Sequence, residues 1–354
     1  MKILHIISNL NIGGTEIMLY KFLEYSDKTK FSHRVIALNT GSEIGNKIIK
    51  TGIKVDYIKT NKFNFIFSIF KIRKIIKEFG PDIIQTYLIK ANLLVRIILF
   101  FNSQIKLISS QRSTDGWRNF FHNFIDRITS FRVDLFLSNS EAGKNFLINK
   151  IKINEKKILV IKSGIDYQNY VITDFRKNKY FVALTRLHYE KGVDILVKLY
   201  KKLLEKEENL PDLIIAGEGP YRKELVKIIT ELKIENKVKL IGNIEKPDNL
   251  LREAKLFFLT SRWEGLPFSI LEAMSIKVPI VASDISGIRE LIKDGETGIL
   301  ININDLNKAA EKIIKYLADS ETLLNITEKA YKKIIKEFDI KKMVKQIEDV
   351  YANM

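Results

Sequence analysis

Two glutamates stand eight positions apart in Ser261-Arg-Trp-Glu264-Gly-Leu-Pro267-Phe-Ser-Ile-Leu-Glu272-Ala-Met, directly after an apolar strand pattern at Leu256 to Leu259. The stretch Gly265, Leu266, Pro267, Phe268 and Ser269 leads from the loop into a helix. Backbone N–H groups at a helix start, with the peptide dipoles aligned behind them, favour an anion such as a diphosphate. With a diphosphate there, Glu264 in the loop can contact an attached sugar. Glu272, about a turn into the helix, can accept hydrogen bonds from ribose hydroxyls. By spacing alone, Ser269-Ile-Leu-Glu272 also fits a helix capping box, a reading that leaves Glu264 and Gly265 unexplained.

A second cluster is Ala183-Leu-Thr-Arg186-Leu-His-Tyr-Glu-Lys191-Gly192-Val-Asp, at the end of another strand pattern. Ligands bind at strand ends in doubly wound sheets, and an arginine with a lysine five residues on can clamp two phosphates. A fixed cationic pair there stabilises a departing nucleoside diphosphate. Taken singly, each cation also reads as a solvated residue at the start of a helix.

The elements that must carry these residues alternate short apolar strands with longer helical patterns, the mark of parallel α/β architecture. Strands are predicted at Ile3 to Ile7, His33 to Leu38, Val55 to Ile58, Pro81 to Tyr87, Lys106 to Ser109 and Leu135 to Ser138. The pattern restarts with Tyr180 to Leu184, Asp212 to Ala216, Val238 to Ile241, Leu256 to Leu259 and Pro279 to Ala282. Two Rossmann-like domains follow, over 1–165 and 166–339, with a polar linker from Ser163 to Lys179 and a final helical segment over 340–354 that crosses back to the first domain. A length of 354 residues suits two cores.

The chain has no cysteine, which excludes disulfides, thiolate metal sites and a cysteine nucleophile and fits a reducing cytoplasm. The opening run MKILHIISNL reads as a buried strand rather than a leader. Ala91 to Phe101 is the longest greasy stretch, is broken by Arg96, and falls short of the ~18 to 20 apolar residues that span a bilayer. The net charge of +17 is lopsided: residues 1 to 170 hold 27 Lys/Arg against 13 Asp/Glu, and residues 171 to 354 hold 32 against 29. A one-sided positive field points to a polyanionic partner, nucleic acid or an anionic membrane surface. A low-GC composition that merely solubilises the protein accounts for the total as well.

In order along the chain, the motifs resemble those of the retaining glycosyltransferases of family four. They are Gly13-Gly14-Thr-Glu16, Asn139-Ser140-Glu141, Gly164-Ile-Asp166, Arg186 with Lys191, Gly217-Glu-Gly219-Pro220, Ile241-Gly242, the Glu264 to Glu272 element, and Ala282-Ser-Asp284-Ile-Ser-Gly287-Ile-Arg-Glu290. The resemblance implies a GT-B fold of two facing Rossmann-like domains with parallel sheets, acceptor-binding first and nucleotide-sugar-binding second. It implies that Arg186 and Lys191 bind the donor diphosphate, Glu272 the ribose, and Glu264 the transferred sugar as the catalytic position. Backbone near Gly242 and Ile244 would border the base, and Gly13 and Gly14 would let their loop approach donor and acceptor. Many relatives carry a histidine where this chain reads Ser110-Gln-Arg112-Ser-Thr-Asp115, so Arg112 or Asp115 is expected to contact sugar or acceptor instead.

The reaction that the resemblance implies transfers a sugar from a UDP- or GDP-type nucleotide-sugar, with retained configuration, to a saccharide or lipid-linked acceptor in bacterial surface polysaccharide synthesis. No cofactor is expected, and no metal either, since the chain lacks an Asp-x-Asp motif. Competing readings are a GT-B nucleotide-sugar epimerase or sugar-phosphate synthase, and a basic nucleic-acid-binding protein. The last lacks a zinc finger, an RRM aromatic motif or a helix-turn-helix, so no nucleic-acid partner is expected. Between Lys59 and Phe79, Lys59, Lys62, Lys71, Arg73, Lys74 and Lys77 interleave with Phe63, Phe65, Phe67 and Phe70. That pattern predicts a cytoplasmic protein held peripherally on the inner membrane face. Ile69, Ile72, Ile76 and Phe79 at helical spacing equally fit plain packing on a sheet.

Overall fold

The computed structural model describes residues 1–61, 64–101, 104–112, 116, 118–172, 174, 179–244 and 246–354. The chain divides into two compact units, one of residues 1–164 with 340–354 and one of residues 165–339. In the first, β1 (Lys2–Ile7), β2 (Ser32–Ala37), β3 (Lys54–Tyr57), β4 (Ile83–Tyr87), β5 (Lys106–Gln111), β6 (Leu135–Ser138) and β7 (Ile158–Val160) form one sheet in the order β3-β2-β1-β4-β5-β6-β7. In the second, β8 (Tyr180–Leu184), β9 (Leu213–Ala216), β10 (Val238–Gly242), β11 (Ala254–Leu259), β12 (Ile280–Ser283) and β13 (Ile299–Ile301) run in the order β10-β9-β8-β11-β12-β13.

Every strand pairing is parallel. Helices therefore cover both faces, and the inner strands are buried along nearly their whole length, as in Ile3, Leu4, Ile6 and Ile7 of β1. In each sheet the strand order reverses once, between β1 and β4 and between β8 and β11. Such a reversal opens a crevice at the carboxyl ends of the two strands. Two strands escaped the sequence reading, β7 and β13. Both are three-residue strands at a sheet edge, too short for periodicity to register.

The polar stretch expected to be a linker is not a free one. Ile165 is buried in the core of the second unit, with Tyr167 and Tyr170 packed against that core. Its N–H donates to the Phe338 carbonyl at 2.7 Å, so the segments entering and leaving this unit are stapled together. The helix Ile340–Ala352 belongs to the first unit and buries Met343, Val344, Ile347 and Tyr351. Its Tyr351 hydroxyl donates to Gln85 of β4, and its Glu348 accepts from the Ser26 hydroxyl and the Asp27 N–H, each at 2.7 Å. Among the described residues no helix is long and apolar enough to cross a membrane.

In the first unit the helix Phe120–Thr129 is anchored unusually, since its one buried residue is Asp126. That carboxylate pairs with Arg96 on the helix Ile89–Ile98 and with Arg118 at 2.6 Å, all three side chains being almost wholly buried. Breaking a buried ion pair from one side costs about 3 to 5 kcal/mol, because the remaining charge stays in a low dielectric. Asp126→Asn should therefore lower the unfolding free energy of the first unit by about 3 kcal/mol, measured by urea denaturation followed by circular dichroism. An unchanged midpoint would mean that the two arginines find counter-charge elsewhere.

Candidate functional site

The loops after β8 and β11, at the reversal of the second sheet, are fastened to one another. Gly192 sits at φ 58°, and a Cβ there would stand 2.1 Å from the Thr260 carbonyl oxygen. Only glycine allows both that conformation and that approach. The Thr260 hydroxyl donates to the Gly192 carbonyl at 2.8 Å. Arg262 completes the clasp, with a bidentate bond to Asp194 at 2.9 and 2.7 Å, a bond to the Tyr189 carbonyl at 2.6 Å, and its guanidinium 3.8 Å from the Tyr189 ring centre. A fork-on-carboxylate pair fixes orientation as well as distance.

This clasp brings two of the expected site residues into contact. Lys191 Nζ donates to Glu264 Oε1 at 2.6 Å, and the Ser261 hydroxyl donates to the same oxygen at 2.8 Å. Both side chains are largely buried, at 17% and 10% exposure, so the pair is held rather than solvated. An ammonium has three donors, so the bond to Glu264 does not exhaust its capacity to bind an anion. From the other side, the helix Ser286–Arg289 closes on the Glu264–Gly265 peptide. A Cβ on Gly287 would stand 2.1 Å from the Gly265 carbonyl oxygen.

Arg186 lies in the same strand-end loop, but its exposed guanidinium meets Glu190 at 3.5 Å. Its backbone neighbour Leu187 donates from N–H to the Glu218 carbonyl at 2.9 Å, and the Gly217 N–H donates to the Gly242 carbonyl at 2.7 Å. Gly242, with half-buried Ile244 two residues on, is thereby tied through the loop after β9 to the loop of Arg186.

The helix Phe268–Ile276 begins after Pro267, with no side chain capping its first N–H groups. Ser269 therefore lies inside the first turn and is not an N-cap, so the capping-box reading of Ser269 and Glu272 does not hold. Gly265, Leu266 and Pro267 are buried, while Phe268 and Ser269 are half-buried. Glu272 is the single charged residue of a largely apolar helix buried from Ile270 onward, and accepts from the Tyr170 hydroxyl at 3.4 Å. Burial, with Asp248 adding repulsion, pushes its carboxyl up to about 7, against the pull of the Tyr170 bond.

Gly13, Gly14 and Arg112 belong to the first unit. Gly13 is extended at φ −171° and precedes the helix Gly14–Tyr25, so no left-handed conformation calls for glycine there. Arg112 follows β5, with its guanidinium carbon 5.8 Å from the Tyr87 ring centre. Its buried Nε has no hydrogen-bond partner among the described residues, and burial lowers its pKa. Asp115 lies outside the described residues. Sequence reasoning missed Thr260, Arg262, Asp194 and Tyr170. The first three sit in or beside the motifs that drew attention, but their pairing is visible only once β8 and β11 are adjacent.

The Glu272 carboxyl sets a pH dependence. In the unfolded chain it titrates near 4.5 and in the folded protein near 7. Between those values the folded form holds a proton that the unfolded form has lost, so stability falls as pH rises from about 4.5 to about 7 and then levels. That difference corresponds to on the order of 3 kcal/mol. Glu272→Gln keeps an acceptor for Tyr170 but cannot ionise. Its unfolding free energy, followed from pH 4.5 to 8, should lack this fall, and a profile parallel to wild type would place the titration elsewhere.

Residues 12–169 match the family described as Glycosyltransferase Family 4, and residues 171–333 match Glycosyl transferases group 1. The chain is 26% identical over 274 residues, 74% of its length and 73% of the relative's, to N-acetylgalactosamine-N,N'-diacetylbacillosaminyl-diphospho-undecaprenol 4-alpha-N-acetylgalactosaminyltransferase of Campylobacter jejuni. It is 23% identical over 370 residues to the capsular polysaccharide biosynthesis glycosyltransferase CapH of Staphylococcus aureus, covering 100% of this chain and 99% of that one. With several other relatives the match spans 53% to 62% of their length. The structure of Anabaena HepE in complex with UDP-glucose superposes over 100% of both chains with a TM-score of 0.88 at 23% identity, a likeness that establishes the GT-B fold. With both halves matched in order, the chain belongs to the glycosyltransferases of family four.

Proposed function

We propose that this glycosyltransferase moves a sugar from a UDP-type nucleotide-sugar to a lipid-linked saccharide in bacterial surface polysaccharide synthesis, with retention of configuration. The observation that carries the proposal is the clasped Lys191–Glu264 pair at the β8/β11 reversal, beside Arg186 and the uncapped helix start at Phe268. Arg186 and Lys191 face the diphosphate, and the helix N-terminus adds its dipole. Gly265 to Ser269 line that anion with backbone, Gly242 and Ile244 border the base, and Glu272 receives the ribose hydroxyls. A UDP donor is supported by HepE, solved with UDP-glucose. A lipid-linked acceptor is supported by the diphospho-undecaprenol in the name of the Campylobacter relative, and the polysaccharide setting by CapH.

In the reaction, the bond from the anomeric carbon to the diphosphate oxygen breaks and an acceptor hydroxyl bonds to that carbon on the same face. A leaving phosphate oxygen takes the hydroxyl proton. Glu264, oriented by Lys191 and Ser261, stabilises positive charge developing on the sugar ring. In the first unit, Gly13, Gly14, Arg112 and Asp115 are assigned to donor and acceptor contacts. The exposed Lys71, Arg73, Lys74 and Lys77 of the helix Phe65–Phe79 are assigned to an anionic membrane surface. That helix also packs on the sheet through Ile72 and Ile76, while Lys62 and Phe63 lie outside the described residues.

Glu264→Gln should lower the transfer rate roughly 10²- to 10³-fold without weakening UDP, since Lys191 then loses a competing carboxylate. Lys191→Ala and Arg186→Ala should weaken UDP itself in calorimetry. Wild-type turnover in folded Glu264→Gln, or unchanged UDP affinity in both cation variants, would move the site elsewhere.

A further inference from the structure

The helix Phe120–Thr129 is built inside out. Amphipathic helices of globular proteins bury their apolar stripe, yet here the buried residue is Asp126, and Phe120, Phe121, Phe124 and Ile128 face outward. Phe120 is 84% exposed and, at the end of the neighbouring helix Ile89–Ile98, Phe101 is 95% exposed. The arrangement is fixed from within. Asp126 is clamped by Arg96 and Arg118, so turning the rings inward would expose a buried salt bridge.

The rings form a packed ridge rather than isolated side chains. Phe100 stands edge-on to Phe131 at 5.2 Å, and Phe120 stacks on Phe124 at 6.2 Å. Contiguous exposed apolar surface of this kind marks a contact face. Its charge complement is basic: Arg127 is exposed on the same helix. The helix Phe65–Phe79, packed beside Ile89–Ile98, adds Lys71, Arg73, Lys74 and Lys77. Its single acid, Glu78, is engaged by Arg34 at 3.0 Å.

We infer that this ridge inserts into the headgroup boundary of an anionic bilayer, with the cations of the Phe65–Phe79 helix meeting the lipid headgroups beside it. Exposed rings with an exposed cation on the same helix and further cations on a nearby one match the interface of an anionic membrane, where rings sit at headgroup depth and lysines and arginines meet lipid phosphates. A protein partner would instead be gripped by a few anchors in desolvated pockets ringed by polar contacts. The inference goes beyond the basic helix read from the sequence by naming a different element as the one that enters the lipid. Its purpose, bringing the chain to a lipid-borne acceptor, rests on the function proposed above.

Because the chain has no cysteine, Phe124→Cys and Phe101→Cys can each carry one environment-sensitive dye on the full-length protein. With phosphatidylglycerol/phosphatidylcholine vesicles, both labels should shift to the blue and be quenched by spin-labelled lipid. A label at Ile49→Cys, on the helix Glu43–Lys50, should do neither. Phe120→Ser with Phe121→Ser and Phe124→Ser should cut vesicle partitioning at least tenfold, with UDP affinity unchanged. Silent labels, wild-type flotation of the triple variant, or a lipid-free dimer that the triple variant abolishes would overturn the inference. Lack of transfer by wild type to any acceptor would instead refute the proposed activity and leave vesicle binding as it stands.

Discussion

The second unit depends on how closely the backbone at Thr260 approaches the backbone at Gly192. Two adjacent parallel strands, β8 and β11, deliver their following loops to the same edge of the sheet, but adjacency alone would leave the loops free. The contact with Thr260 requires a residue without a Cβ in the left-handed region, and Arg262 locks it through Asp194 and Tyr189. Only with both loops fixed do Lys191 and Glu264 meet at 2.6 Å. A short, buried, oriented ion pair is costly to assemble from mobile loops. Here the ordering is supplied by backbone and by an arginine fork outside the pair.

Strand positions and the doubly wound class were legible in the sequence, because parallel strands buried on both faces read as apolar runs wherever they reach four residues. Glu264 and Lys191 stood out as candidates from their place after strands. What could not be read was partnership. Lys191 and Glu264 are 73 positions apart, and Arg262 and Asp194 are 68, so no local pattern joins them. Glu272 fitted a cap by spacing, and only the helix start at Phe268 after Pro267 removes that reading. Ile165 was hidden among polar neighbours, although it is buried in the core of the second unit.

The first unit departs from sequence patterning in a different way. In the helix Phe120–Thr129, periodicity marks a stripe of phenylalanines that an ordinary globular helix would bury, and the fold turns it outward by burying Asp126 between two arginines. Part of the lopsided charge of this half lies on the exposed cations of the Phe65–Phe79 helix. In the second unit, Lys191 is held in a short pair with Glu264 where an anion can join it. In the first, Lys71, Arg73, Lys74 and Lys77 of the Phe65–Phe79 helix are exposed, with Lys71 4.6 Å from the Phe67 ring centre.

The decisive observation is a crystal structure of the protein soaked with UDP and with an intact UDP-sugar. The diphosphate should lie against Lys191 and Arg186 at the start of the Phe268–Ile276 helix, with the ribose on Glu272 and the sugar within hydrogen-bond reach of Glu264. Nucleotide density elsewhere, or a diphosphate that leaves the Lys191–Glu264 pair untouched and out of contact, would contradict the assignment of the β8/β11 reversal as the donor site.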